Sequence, residues 1–143
     1  MDFVIQQICF DERVAALLKD GALPTDDLSP SSNVVFFGYS CDDELCGVVG
    51  LELYGSWALL RSLAVAPGHR NDGIGGKLLA RAEDEAEKRG AREIYLLTTT
   101  AEAYFSRRGY TRVERASAPT AIAATRQFSD LCPSSSSFMV KKK

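Results

Sequence analysis

Residues 61–79 read RSLAVAPGHRNDGIGGKLL, and this stretch decides the fold. Leu63-Ala64-Val65 is apolar and strand-like. Ala66 to Gly76 is a glycine-rich loop with one proline, and the spacing predicts a long amphipathic helix over 74–89. Gly73, Gly75 and Gly76 remove side chains where backbone N–H groups meet a ligand. The helix start adds about half a positive charge, the usual arrangement for holding phosphates. His69, Arg70 and Lys77 put protonatable groups around the same loop. Gly76-Lys77 is followed by Leu78 rather than Ser or Thr, which excludes a P-loop. Leu78 also stands where a dinucleotide fingerprint needs its third glycine. On these residues alone, an ordinary strand-to-helix turn stays open beside an anion site.

Upstream, Phe3–Ile8 is a first strand, and Asp11–Leu18 a helix with Val14, Leu17 and Leu18 on one side and Gly21 past its end. Leu23–Leu28 reads as a turn and a short second helix, and Ser29–Asn33 as a loop. Val34–Tyr39, Leu45–Tyr54 and Trp57–Val65 are strands joined by the Asp42–Glu44 and Gly55-Ser56 turns, an antiparallel meander. In the long helix, Ile74, Leu78, Ala82 and Ala86 share a face, Asp84–Lys88 and Glu85–Arg89 form i,i+4 pairs, and Gly90 caps the end. Ile94–Thr98 is a continuous apolar run, as in a central strand covered on both faces. Ala101–Arg108 reads as a helix stopped by Gly109, and Tyr110–Val113 as a strand. A helix follows from Pro119 to about Leu131, then an edge strand at Ser137–Val140 and a basic tail, Lys141–Lys143. The predicted order is β-α-α-β-β-β-α-β-α-β-α-β: an α/β (α+β) fold with a mixed, mostly antiparallel sheet flanked by helices.

At 143 residues the expectation is a single domain, 1–143, able to bury a core. Net charge is −2, with 45% hydrophobic and 25% charged residues, which argues against disorder and against global attraction to nucleic acid or anionic lipid. No apolar run reaches the roughly 18 residues of a membrane span. The start, MDFVIQQICF, lacks the order of a signal peptide, so a cytoplasmic protein is expected. Cys9, Cys41, Cys46 and Cys132 contain no close C-x2-C pair and His69 is the single histidine. The expectation is therefore reduced, packed thiols and no metal, with capture of a thiophilic metalloid as the alternative.

Arg70-Asn71-Asp72-Gly73-Ile74-Gly75, after Leu63-Ala64-Val65-Ala66-Pro67, matches the R/Q-x-x-G-x-G/A signature and resembles the GCN5-related N-acetyltransferases, the GNAT superfamily. The resemblance implies the GNAT fold and acetyl-CoA as cofactor, its pyrophosphate on the backbone amides of Arg70, Asn71, Asp72, Gly73, Ile74, Gly75 and Gly76, with Lys77 beside them. It implies that the strands at Leu63, Ala64 and Val65 and at Tyr95–Thr98 splay apart for the pantetheine arm. It also implies that the Val65 N–H polarises the acetyl carbonyl, and that Thr98, Tyr104 and Phe105 line the thiol end. Gly50–Glu52, Leu59–Val65, Leu96–Glu102 and Phe128–Pro133 are similar to the arsenic-resistance N-acetyltransferases. The Thr98–Thr100 turn and the Pro119–Met139 tail are similar to N-acetylglutamate-synthase-type domains. Both imply a small amino acid, or an amino-acid-like toxin, as acceptor. Homodimers are frequent among proteins resembling this chain.

Acetyl transfer to an amine needs a proton acceptor and a route to protonate the leaving thiolate. The family tyrosine that serves the thiolate falls at Phe105, with Tyr104 one position off, about 100° around the helix. The usual strand glutamate falls at Leu59. Glu52, between Leu51 and Leu53 on a strand, is the candidate base, against the alternative of a solvated carboxylate. Arg61 is a candidate clamp for an acceptor carboxylate, against a salt bridge to Glu52. Thr99 and Arg126 are further acceptor-site candidates. The alternative acceptors are a polyamine, a drug or a protein N-terminus, but negative charge for a polycation is limited to Asp26, Asp27, Glu52 and the Asp42–Glu44 turn.

Overall fold

The computed structural model describes residues 3–23, 25–29, 33–69, 73–126, 128 and 136–142. Seven strands, β1 Phe3–Ile8, β2 Val35–Cys41, β3 Glu44–Tyr54, β4 Trp57–Val65, β5 Glu93–Thr98, β6 Thr111–Arg112 and β7 Ser137–Lys142, form one sheet in the order β1-β2-β3-β4-β5-β7-β6. The helices are α1 Glu12–Asp20, α2 Ile74–Lys88, α3 Glu102–Ser106 and α4 Thr120–Ala123. The sheet is mixed, as predicted: β1–β2, β2–β3, β5–β7 and β6–β7 are antiparallel, and β4–β5 is parallel.

The chain falls into two compact units. The first holds residues 1–52 and 60–85. Asp11 caps α1, its carboxylate accepting from the Arg13 and Val14 amides at 3.0 and 3.2 Å. The apolar side of α1, Val14, Leu17 and Leu18, is buried with Phe36, Leu45, Val48 and Ala64. Ile74, Leu78 and Ala82 of α2 are buried as their spacing predicted. Gly47 lets α2 approach the sheet: a Cβ there would stand 2.9 Å from Ile74 Cγ2 and from Leu78 Cδ1. The second unit holds residues 53–59 and 86–143, with a core of Leu59, Tyr95, Ile122, Phe138 and Val140. Its entry from α2 is closed by Gly90 at φ +94, where the Ala91 amide reaches back to the Ala86 carbonyl at 3.0 Å.

Several predicted elements differ. The short helix expected within residues 23–28 is absent among the described residues, which form turns, closed by the Leu28 amide on the Thr25 carbonyl at 2.9 Å. Here the Asp27 side chain is bound by Arg61, a partner no local pattern reveals. Glu44 belongs to β3, so the hairpin turn is Asp42-Asp43 alone, both with positive φ, +50 and +66. α4 ends at Ala123 and a turn follows, in which Thr125 turns its hydroxyl onto the Ile122 carbonyl at 2.7 Å; Arg126 and Phe128 are helical again. Much of the remaining predicted helix, up to Leu131, lies outside the described residues. Lys141 and Lys142 are part of β7 rather than a tail, because β7 pairs with β5 as far as Glu93.

Candidate functional site

In the first unit, β4 leads through a short 3₁₀ turn, Pro67–His69, toward the start of α2. Arg70, Asn71 and Asp72 lie outside the described residues. Gly73 is exposed at φ +76, with open space where a Cβ would stand, and its carbonyl takes the Lys77 amide at 3.2 Å. Gly75 and Gly76 occupy the first turn of α2. The first four N–H groups of a helix lack partners within it, so this glycine start offers donors without side chains in front of them. Lys77 is exposed, with its ammonium 5.8 Å from the centre of the Tyr39 ring. These residues fit a bound anion such as a pyrophosphate.

The first unit also holds a buried ionic group. Arg61 is 4% exposed and Glu52 8%. Arg61 Nη1 donates to Glu52 Oε2 at 2.9 Å and also to Asp27 Oδ2, Nη2 donates to Asp27 Oδ1 at 2.8 Å, and Nε donates to Ser62 Oγ at 3.1 Å. Burial works against the charged guanidinium, but the hydrogen bonds to Asp27 and then Glu52 outweigh it and push its pKa further up. Glu52 is thus a buried carboxylate rather than a solvated one, and the Arg61–Glu52 salt bridge considered from the sequence is present. Asp27 and Ser62 are the members that sequence reasoning did not place in the site. In the sequence Asp27 stands out only as part of a short helix and as negative charge for a polycationic acceptor. Ser62 carries φ +58 within β4, a left-handed backbone that costs a non-glycine residue about 1–2 kcal/mol and that no sequence pattern announces.

Leu63 and Val65 are half-buried and Ala64 is buried at the end of β4. The β4–β5 ladder pairs Trp57–Leu59 with Glu93–Tyr95, and residues 60–65 are not part of it.

In the second unit, the Thr98 hydroxyl accepts the Ala101 amide at 3.0 Å and holds the turn into α3, while Thr99 is exposed. Phe105 is buried, edge-on to Tyr110 at 5.7 Å between ring centroids. Tyr104 stays half-buried, with the Arg108 guanidinium 4.5 Å above its ring. The two neighbours therefore point in different directions, as their 100° offset requires. Arg126 is exposed.

A family model described as the Acetyltransferase (GNAT) family matches residues 5–113. The chain is 33% identical over 88 residues to the streptothricin acetyltransferase of Streptomyces lavendulae, an alignment covering 59% of this chain and 44% of that one. It spans less than half the length of the curated relatives it matches. Among solved structures it is similar to N-acetylglutamate synthase from Neisseria gonorrhoeae complexed with coenzyme A and N-acetyl-glutamate, with a TM-score of 0.81, 21% identity, and coverage of 99% of this chain and 35% of that one. It is also similar to the PaiA N-acetyltransferase of Thermoplasma acidophilum in complex with coenzyme A, with a TM-score of 0.71, 18% identity, and full coverage of both chains. With the signature matched and this sheet order in place, the chain belongs to the GNAT family of acetyltransferases.

Proposed function

We propose that this protein is an acetyl-CoA-dependent N-acetyltransferase. It acts by direct transfer in a ternary complex on the amine of a small amino acid or an amino-acid-like toxin, including arsenic- or phosphinate-containing analogues. The observation that carries this reading is the glycine start of α2, which offers backbone donors to a phosphate-rich ligand directly after β4. Gly73, Ile74, Gly75 and Gly76 would hold the pyrophosphate of acetyl-CoA, with Arg70, Asn71 and Asp72 completing the loop and Lys77 adding charge. Acetyl-CoA supplies the activated acyl group.

The chain's own residues have three tasks in this reading. An amine attacks only when unprotonated, so a group must take its proton; Glu52 is assigned that role, directly or through water. Arg61, itself bound to Asp27, holds the Glu52 carboxylate in one place. The Val65 N–H is assigned to the acetyl oxygen. An acceptor carboxylate would reach Arg61 only by displacing Asp27, and Thr99 and Arg126 remain candidates for that end of the acceptor. The reading includes a cytoplasmic location and, since dimers are frequent among proteins resembling this chain, a homodimeric assembly.

The buried Phe105, at the position of the family tyrosine, favours a second reading: an acyl-CoA-binding sensor without turnover. Incubating the protein with acetyl-CoA and a panel of amino acids, while following free thiol, separates the two. Amine-dependent thiol release supports the transferase; tight binding with no release across the panel supports the sensor.

A further inference from the structure

Cys41, Cys46 and His69 come from three different elements, and their ligand atoms all lie within 4.8 Å of one another. Cys41 ends β2 and pairs with Glu44, while Cys46 lies two residues further along β3. The two thiols approach each other across this hairpin. The register slips between Tyr39 and Ser40, leaving Cys46 as the extra residue of a bulge. The Cys46 carbonyl accepts the Ala66 amide at 2.7 Å, and the Ala66 carbonyl accepts the His69 amide at 2.9 Å. Two backbone hydrogen bonds thus fold the Pro67–His69 turn back over the bulge. All three residues belong to the first compact unit, so the grouping is internal to it.

We propose that Cys41 Sγ, Cys46 Sγ and the His69 imidazole form a binding site for a thiophilic divalent cation of the zinc class. Two sulfurs and an imidazole suit zinc, and three protein ligands leave a fourth position for water or a small anion. Zinc bonds of about 2.3 Å to sulfur and about 2.0–2.1 Å to nitrogen put tetrahedral ligand atoms roughly 3.5–3.8 Å apart. The three atoms therefore need to approach by no more than roughly 1–1.3 Å, within the reach of side-chain rotation. Both thiols are free of disulfides. Without metal, burial pushes the Cys46 thiol pKa up and the Cys41 thiol beside it adds to the shift. Binding then replaces thiol protons by the cation and releases them to solvent. The site is independent of the transferase reading; Cys41 and Cys46 stand in a C-x4-C spacing, and only the fold brings His69 to them.

The test uses the full chain, reduced and freed of metal, titrated with Zn²⁺ against a competing chelator and, separately, with Co²⁺. One equivalent of zinc is expected, with a sulfur-to-cobalt charge-transfer band and tetrahedral ligand-field bands in the cobalt form. Cys41→Ser and His69→Ala, at half-buried positions, should each weaken zinc binding by at least about 100-fold while circular dichroism stays native. These two keep the test readable if Cys46→Ser fails to fold. Cys9→Ser and Cys132→Ser should bind as the parent does. Absence of zinc binding by the reduced parent, absence of the thiolate band, or undiminished binding in both site variants would overturn the proposal. So would loss of binding only on replacing Cys9 or Cys132.

Discussion

Arg61 Nη1 donates to Glu52 Oε2 at 2.9 Å across two neighbouring strands, and both side chains are buried. A charged pair withdrawn from water is held in one geometry, here reinforced by Asp27 and Ser62. If Glu52 is the proton acceptor, Glu52→Gln lowers turnover by roughly 10²-fold at neutral pH while the affinity for acetyl-CoA stays near that of the parent. Steady-state kinetics with calorimetric titration of the cofactor checks both halves. A drop of less than threefold removes Glu52 from the role.

Replacing Arg61 removes the guanidinium shared by the buried Glu52 and the half-buried Asp27. Arg61→Ala should destabilise the fold by about 3–5 kcal/mol, measured by urea unfolding. Asp27→Asn removes only part of the group and should cost less. If an acceptor carboxylate displaces Asp27 from Arg61, the same Asp27→Asn variant should lower KM for zwitterionic acceptors relative to simple amines. Equal KM changes for both acceptor types would leave Arg61 with a purely organising role.

Gly47 stands where β3 touches the first turns of α2. Gly47→Ala forces a Cβ to within 2.9 Å of Ile74 and Leu78 and 3.4 Å of the Ala64 carbonyl. A loss of about 1–3 kcal/mol in stability is expected, as for other overpacked sites. Coenzyme A affinity should fall with it, because the helix start that presents the amides is what moves. Thermal melting with and without coenzyme A measures the two together.

Burial first, and then the hydrogen bond to Glu93 at 2.9 Å, push the Tyr95 phenol from 10.0 up to about 12. The folded chain keeps this proton through a pH range in which the unfolded chain has lost it. The contribution to stability is therefore full below pH 10 and disappears as pH rises from 10 to about 12. Tyr95→Phe should flatten the fall in melting temperature across that window. An identical fall in the variant would assign it to other groups.

Asp11 caps α1 and also binds the Arg13 guanidinium at 2.9 Å. The Arg13 hydrogen bond holds its carboxyl below its ordinary value of 3.8. Its share of stability is present above that value and is lost as pH falls through the lower folded one. Asp11→Ala should cost about 0.5–2 kcal/mol, and Asp11→Asn, which still caps, only a fraction of that.

The parts of this chain legible in its residues are those made by near neighbours. The glycine start of α2, the apolar face of Ile74, Leu78, Ala82 and Ala86, the cap at Gly90 and the meander before them are local periodicities and turn chemistry. They were enough to identify the fold and the place of an anion site. Leu23–Leu28 misled because Asp27 is claimed by Arg61, 34 residues on, and a local helix pattern carries no trace of that partner. Ser62 was invisible for a related reason: its positive φ is imposed on a strand whose residues have no preference for it.

Sequence by itself determined the order of elements from β2 onward, the family signature and the position of the glycine turn, all set by contacts within about one helical turn or one hairpin. Tertiary structure alone decided which charges meet. It placed Asp27 and Glu52 on Arg61 through side-chain hydrogen bonds, and it brought His69 to the Cys41–Cys46 hairpin through the backbone bond from Ala66 to Cys46. Burial made these meetings consequential, since a charge or thiol removed from water must find its partner inside the protein.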